Sequence, residues 1–504
     1  MMACCCLVPT STLACVAALP PPSLLPSCTT SHPCAQSHSP FLFRSQASLP
    51  ACVASSSSSS FAFVAAPYRS CFVANGMRSW KLLCTDVSQP YKQAAAASSF
   101  VLSGGVVAKA MAASTAVEEE RPGRFYFNIT GFPFPLGPFL ERRTIRKEVE
   151  KGLIWMLEQE QALAFGNVTT NIRMTVIKLK SGGLWIHAPI APTDECIQLL
   201  NELEAPVEYI VLPTFAYEHK VFVGPFSRKF PRAHVWVAPR QWSWPVDLPL
   251  QFFGIFGAKI LRNDDKSAPW VDEIDYKILS CSVGVGPYVE VAFFHKQSKI
   301  LLLTDAVIFV PEKPPEVVGK QALLSAAKNG LAVKLLSAGK EVSDDPIIDD
   351  EATRQRGWER MVLQILFLGP SNLLEPKQSF AQMSKKLIVS PIVKTLVFDK
   401  VPEKVNAWVQ EITREWKFSR IIPAHFAAPV AADGRDLRVA FRFLNDLLPE
   451  EEMWASSVLL SISSLFSRAS SVFPAADMKT LSSLDEFLVS VGAVKKTISG
   501  KGRQ

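Results

Sequence analysis

From Glu141 to Leu163 the apolar residues Ile145, Val149, Leu153, Ile154, Met156 and Leu157 recur among charged ones, a spacing that predicts an amphipathic helix. The pattern then shifts to runs of β-branched and aromatic residues. Arg173–Lys180 (RMTVIKLK) and Gly183–His187 (GLWIH) flank Ser181-Gly182 and predict a hairpin. A helix over Thr193–Glu204, capped by Thr193 or Asp194, leads to a buried strand at Glu208–Leu212. A polar turn at Pro213–Lys220, a short helix near Phe226–Phe230 and a strand at His234–Ala238 follow. Ile274–Ser280, Tyr288–His295 and Lys299–Thr304 read as consecutive strands with tight turns, and Lys404–Trp416 and Arg435–Leu448 as helices around a short strand at Arg420–Pro423. Hairpins combined with strand–helix alternation imply a mixed α/β architecture with helices covering sheets. Pro311–Asp350 and Arg354–Leu374 read as insertions, the second a helix ending at Gly369-Pro370.

Composition first suggests a basic protein, with a net charge of +7 over 504 residues. The location of the charge changes that picture. Residues 1–117 hold Arg44, Arg69, Arg78, Lys81, Lys92 and Lys109 against the single acid Asp86, so the body is close to neutral and a nucleic-acid partner is not expected. Cysteine is skewed in the same way: only Cys196 and Cys281 lie beyond Cys84, which argues against a disulfide framework or a cysteine-ligated zinc site in the body. No apolar run approaches the length of a membrane span, so the chain does not read as an integral membrane protein.

The acid-poor, Ser-rich leader, with serine at every position of Ser55–Ser60, reads as a disordered plastid transit peptide over 1–117. Lys109 and Gly104-Gly105 interrupt the apolar patch Phe100–Ala113, which favours the chloroplast stroma over the thylakoid lumen. The body then spans 118–450, with insertions near 311–375, and a Ser-rich extension of peripheral helices spans 451–504. The aromatic stretches Phe125–Phe139 and Gln241–Phe256 read as cover for the sheet edges, the alternative being a hydrophobic groove or a peripheral membrane contact.

Histidines carry the candidate chemistry. His219 follows the EYIVL strand, His295 closes YVEVAFFH, His425 follows the strand in RIIPAH, and Asp305 closes KILLLTD. Imidazoles and carboxylates at strand ends on one sheet edge can converge on an ion. His187 and His234 read as structural histidines.

This order of strand ends resembles the metallo-β-lactamase superfamily, in which a His-x-His-x-Asp-His motif follows a strand. The matching segment is Pro213–His219 (PTFAYEH), with Thr214 and Ala216 in place of the two leading histidines, Glu218 as the acid and His219 as the last histidine. His295 resembles the next histidine of the family, Asp305 its bridging aspartate and His425 its final histidine. The phrases RMTVIKLKSGGLWIHAPI, FPRAHVWVAPRQ, VAFFHKQSKILLLTDAVIF and FSRIIPAH are similar to the plant and cyanobacterial domain of unknown function 4336 family.

The resemblance implies a metallo-β-lactamase-like αββα sandwich. It also implies one zinc or iron ion held by Glu218, His219, Asp305 and His425, with His295 nearby. The first metal position of the superfamily should be empty, since His295 alone remains of its three imidazoles. The implied function is a single-metal hydrolase of an ester or thioester bond in a small molecule, acting through a bound water acidified toward neutrality. The alternative is a non-catalytic module with a vestigial metal site that binds or assembles with a plastid protein. The oligomeric state is left open.

Overall fold

The stretch expected to be an amphipathic helix forms a hairpin instead, β1 (Thr144–Glu150) and β2 (Ile154–Ala162), in a computed structural model of the protein. Ile145, Val149 and Leu153 are four apart, and four is a multiple of the strand period as well as close to the helix period, so the spacing alone did not separate the two. The structure describes residues 142–497, apart from 163–167, 243–246, 264–266, 285, 336, 338–339, 341, 343–345 and 449–472. The expectations for the leader, for Phe125–Phe139 and for the serine cluster after Pro449 lie outside these residues.

The first sheet grows in chain order. β1 and β2 are followed by β3 (Thr169–Lys178), β4 (Leu184–His187), β5 (Val207–Leu212), β6 (His234–Val237) and β7 (Lys259–Ile260), each beside its predecessor. Pairing is antiparallel from β1 to β4 and parallel from β4 to β7. Parallel neighbours need crossover connections, and α1 (Asp194–Asn201) and α2 (Tyr217–Lys229) supply the first two. The Thr193 hydroxyl caps α1 by accepting the Cys196 N–H at 3.2 Å. The expected polar turn and short helix after β5 are one 13-residue helix, α2, which starts at Tyr217.

The second sheet comprises β8 (Ile274–Gly284), β9 (Gly286–His295), β10 (Ile300–Leu302), β13 (Arg420–Ile422) and β14 (Val430–Ala431), in the order β14-β13-β10-β9-β8. β11 (Ile308–Phe309) and β12 (Leu387–Ile388) form a separate two-stranded piece. Strands β10 and β13 run parallel, so the segments after both leave the sheet at the same edge.

Alternation along the strands sends apolar side chains to both faces of each sheet. Between the sheets, Ile154, Trp185 and Trp236 from the first meet Val291, Phe293 and Leu302 from the second, around Trp270. Outside the first sheet, Met174, Val176 and Ile186 pack on Cys196 and Leu200 of α1 and Phe222 and Phe226 of α2. Outside the second, Leu279, Ala292 and Leu301 lie beneath α3 (Lys320–Ala327), α4 (Glu351–Phe367), α5 (Pro402–Glu415) and α6 (Ala475–Ser490). Helix, sheet, sheet, helix is the αββα layering expected from the sequence. Among the described residues no helix is long and apolar enough to cross a membrane.

Candidate metal centre

Three chain segments leave the strands at one edge of the sandwich and bring a polar side chain each. After β5 the chain turns at Thr214, whose hydroxyl donates to the Val289 carbonyl (3.2 Å) and accepts the Ala216 N–H (3.1 Å). That turn delivers α2, with His219 in its first turn. After β10 the chain passes through Thr304 to Asp305, and after β13 it reaches His425. Ligand atoms of His219, Asp305 and His425 lie within 4.8 Å of one another, and all three residues are buried.

His425 is held from behind. Its Nδ1 lies 2.9 Å from the Asn171 carbonyl. A carbonyl only accepts, so Nδ1 carries the proton and the Nε2 lone pair is left facing the cluster. Nε2 stands 3.4 Å from Asp305 Oδ1 without a hydrogen bond. The Asn171 side chain pairs with both polar groups of the Phe426 backbone, accepting its N–H at 2.8 Å and donating to its carbonyl at 2.9 Å. Arg173, two residues along β3, donates to the carbonyls of Pro423 and Phe426 and is itself paired with Glu158. Both sides of the His425 turn are thereby fixed to the first sheet.

Asp305 is positioned by Glu290 of β9. This carboxylate is fully buried and accepts the Thr304 N–H at 2.6 Å, the Thr304 hydroxyl and the Asp305 N–H at 3.3 Å. Burial pushes its pKa up to about 8, and the negative charge of Asp305 acts in the same direction.

His219 has neither ring nitrogen hydrogen-bonded, although the residue is fully buried. Burial is the main cause that lowers its pKa to about 4, so the imidazole is neutral and a metal-ligand form at neutral pH. Its ring centroid is 5.3 Å from that of His425. Unpaired buried imidazole nitrogens are uncommon in folded proteins. Two imidazoles and one carboxylate are a donor set that suits zinc or iron and leaves further positions open for water or substrate. The residues present therefore fit one such ion.

Residues 151–377 and 374–443 match a family described as Domain of unknown function (DUF4336). The chain belongs to the DUF4336 family. Solved structures similar to this DUF4336 chain include the metal-soaked Flv1 flavodiiron core from Synechocystis sp. PCC6803, at 11% identity and TM-score 0.34, covering 60% of this chain and 62% of that one. The DUF4336 chain thus spans just under two thirds of the Flv1 core. A metallo-beta-lactamase from Pontibacter korlensis matches at 11% identity and TM-score 0.30, over 60% of this chain and 100% of that one. Putative diflavin flavoprotein A 5 from Nostoc sp. PCC 7120 matches at 12% identity and TM-score 0.33, over 60% and 96% of the respective chains. No curated protein matches.

Of the site residues expected in the DUF4336 chain, His219, Asp305 and His425 come together. Glu218, next to His219 on α2, is buried and lies within electrostatic reach of all three, but its carboxylate is not in the group within 4.8 Å. His295 does not join them. It pairs with Ile300 at the start of β10, whereas Asp305 lies past the end of that strand. Antiparallel pairing sends the end of β9 to the opposite edge, where the His295 Nδ1 meets the Ser298 hydroxyl at 2.7 Å. His187, expected to be structural, is buried at the end of β4 against Trp185 and Phe293. Burial lowers its pKa to about 3, and the His219 charge adds to the effect, which places the two imidazoles in one electrostatic neighbourhood. His234 starts β6 and is exposed at the far edge.

Sequence reasoning missed Glu290, Asn171 and Arg173. Glu290 is a lone acid inside a run of buried strand positions, and that isolation was the available signal; Asn171 and Arg173 sit among threonines in β3 and carried no such signal.

Proposed function

We propose that this chain is a plastid protein that holds one zinc or iron ion through His219, Asp305 and His425 and hydrolyses an ester or thioester bond of a small molecule. The observation that carries this reading is the convergence of two buried imidazoles, with unpaired nitrogens, on one carboxylate within 4.8 Å. When bound, the ion would act as a Lewis acid toward the substrate carbonyl and would make a water molecule more acidic. The chain's own residues prepare that chemistry. The Asn171 carbonyl fixes the His425 tautomer, a role that outer-shell acceptors play for metal-binding histidines. Glu290 anchors the turn that presents Asp305. Glu218 places a second carboxylate near the cluster, as a fourth donor or as a proton acceptor. Thr214 and Ala216 offer no imidazole, so a second ion lacks ligands here.

A second reading, a binding module without turnover, draws on one detail. The Thr214 hydroxyl is spent on backbone groups at the position where the superfamily places a metal ligand. Elemental analysis of the full chain and of His425→Ala, beside esterase and thioesterase assays, separates the readings. About one ion per chain in the parent, lost in the variant, is expected for a three-ligand site. Less than about 0.2 ion per chain in both defeats metal binding, and a bound ion without turnover leaves the binding module. The leader composition supports plastid import, which a fluorescent fusion to residues 1–117 tests directly.

A further inference from the structure

Where the chain leaves β6, beside the start of β9, a cleft of about 420 Å³ is lined by Arg240, Gln241, Trp242, Asp247, Ser282 and Gly286. It opens at the same edge as the candidate metal centre, because β6 runs parallel to β5, which delivers His219. The two regions are joined by hydrogen bonds. Gln241 Nε2 donates to the Thr214 carbonyl at 2.9 Å, and Lys220 Nζ donates to the Trp242 carbonyl at 2.6 Å.

Some polar atoms of this cleft are held in place by neighbours, and others have no hydrogen-bond partner. Arg240 occupies a left-handed backbone conformation (φ 51°), which is costly for a residue with a Cβ. Its guanidinium donates to the Ser282 hydroxyl at 2.7 Å and reaches that of Ser280 at 3.5 Å. Those hydroxyls orient it but do not neutralise it, and among the described residues no carboxylate lies within ion-pair distance of it. Trp242 Nε1 and Gln241 Oε1 are buried without hydrogen-bond partners, a donor and an acceptor in one wall. Gly286 makes room for the indole: at φ 85°, an added Cβ would stand 2.7 Å from Trp242 Nε1. A planar guanidinium fork and a neutral N–H beside it match the geometry of an oxyanion.

We propose that this cleft binds an anionic group, carboxylate or phosphate, with Arg240 as the charged donor and Trp242 Nε1 as the neutral one, so that the substrate class is an ester or thioester bearing a second, ionised group. Only the statement that the bound molecule is the substrate rests on the metal-dependent reading above; the binding itself does not.

Calorimetric titration of the full chain with succinate, inorganic phosphate and the neutral dimethyl succinate tests it, alongside metal content. At least one of the two anions should bind, the better of them identifying the group, and the diester should not. Arg240→Gln should weaken anion binding at least about tenfold, the loss expected for a charge-assisted contact, and Arg240→Lys, which keeps charge but not the fork, should fall between. Metal content should be unchanged in both variants. The proposal is overturned if neither anion binds at millimolar concentration, if Arg240→Gln binds as the parent does, or if the diester binds equally well. Anion binding by a parent protein that lacks metal sinks the hydrolase reading and leaves the cleft intact, whereas metal without anion binding sinks the cleft alone.

Discussion

Replacing Arg173 by Met should destabilise the fold and loosen the candidate metal centre through the same set of bonds. The Arg173 side chain is 1% exposed and that of its partner Glu158 is 5% exposed. Its Nε donates to Glu158 Oε1 at 2.7 Å, and its other nitrogens serve the Pro423 and Phe426 carbonyls on either side of His425. Truncation leaves a buried carboxylate uncompensated, which costs about 3–5 kcal/mol. The Pro423 carbonyl, which loses its donor, adds up to about 1–3 kcal/mol where water does not replace it, while the Phe426 carbonyl keeps the Asn171 amide, so the upper end of the first range is expected. Against a total stability of about 5–15 kcal/mol this is a large fraction. Urea unfolding of parent and variant, compared through the midpoint at unchanged slope, measures it. The double variant Glu158→Gln/Arg173→Met removes the stranded charge and should recover at least about 1 kcal/mol of the loss. It should not recover metal stoichiometry, because the His425 turn still lacks the Arg173 donors at Pro423 and Phe426. A single-variant loss below about 1 kcal/mol, or a double variant no more stable than the single, would show that the ion pair is not the anchor described here.

Two further substitutions probe how the site is supported. Gly224→Ala on α2 would place a Cβ 2.0 Å from the Phe253 carbonyl oxygen, so α2 and the segment around Phe253 must part; a loss of about 1–3 kcal/mol in urea unfolding is expected, and an unchanged midpoint would refute the close approach. Lys400 Nζ is fully buried and donates to Asp485 at 2.6 Å and Thr497 at 3.0 Å; Lys400→Met should release α6, seen as faster amide exchange over Ala475–Ser490 than in the parent, while exchange in β2 and β3 stays as it was.

Much of the sandwich was legible because its strands are apolar on both faces and bounded by turn residues. RMTVIKLK and YVEVAFFH could hardly be anything else, and of the two caps expected for α1, Thr193 or Asp194, it is Thr193 that serves. The first hairpin was not legible from spacing that two periods share, and only a partner strand decides between them. At the site, His219, Asp305 and His425 were found by one rule, a polar residue after a strand. The same rule misplaced His295, because a strand end says nothing about which edge of the sheet it reaches until the direction of pairing is known. Glu290 lies in the same strand, five residues earlier, and occupies the edge that His295 was expected to share. The Arg240–Trp242 cleft depends on how β6 and β9 are registered across two sheets, which no local pattern encodes.

The division of the two sheets along the chain sets an order of events during synthesis. Every strand of the first sheet lies within residues 144–260, and every strand of the second within 274–431. A ribosome therefore releases a whole hydrogen-bonded ladder, carrying His219, Asn171 and Arg173, before the first residue of the other ladder is made. Asp305 and His425 emerge later, and His425 finds the carbonyl of Asn171 only across the seam between the halves. The three-residue cluster is thus assembled only when the halves have docked, so that occupancy by an ion would report the docking of the two sheets rather than local structure.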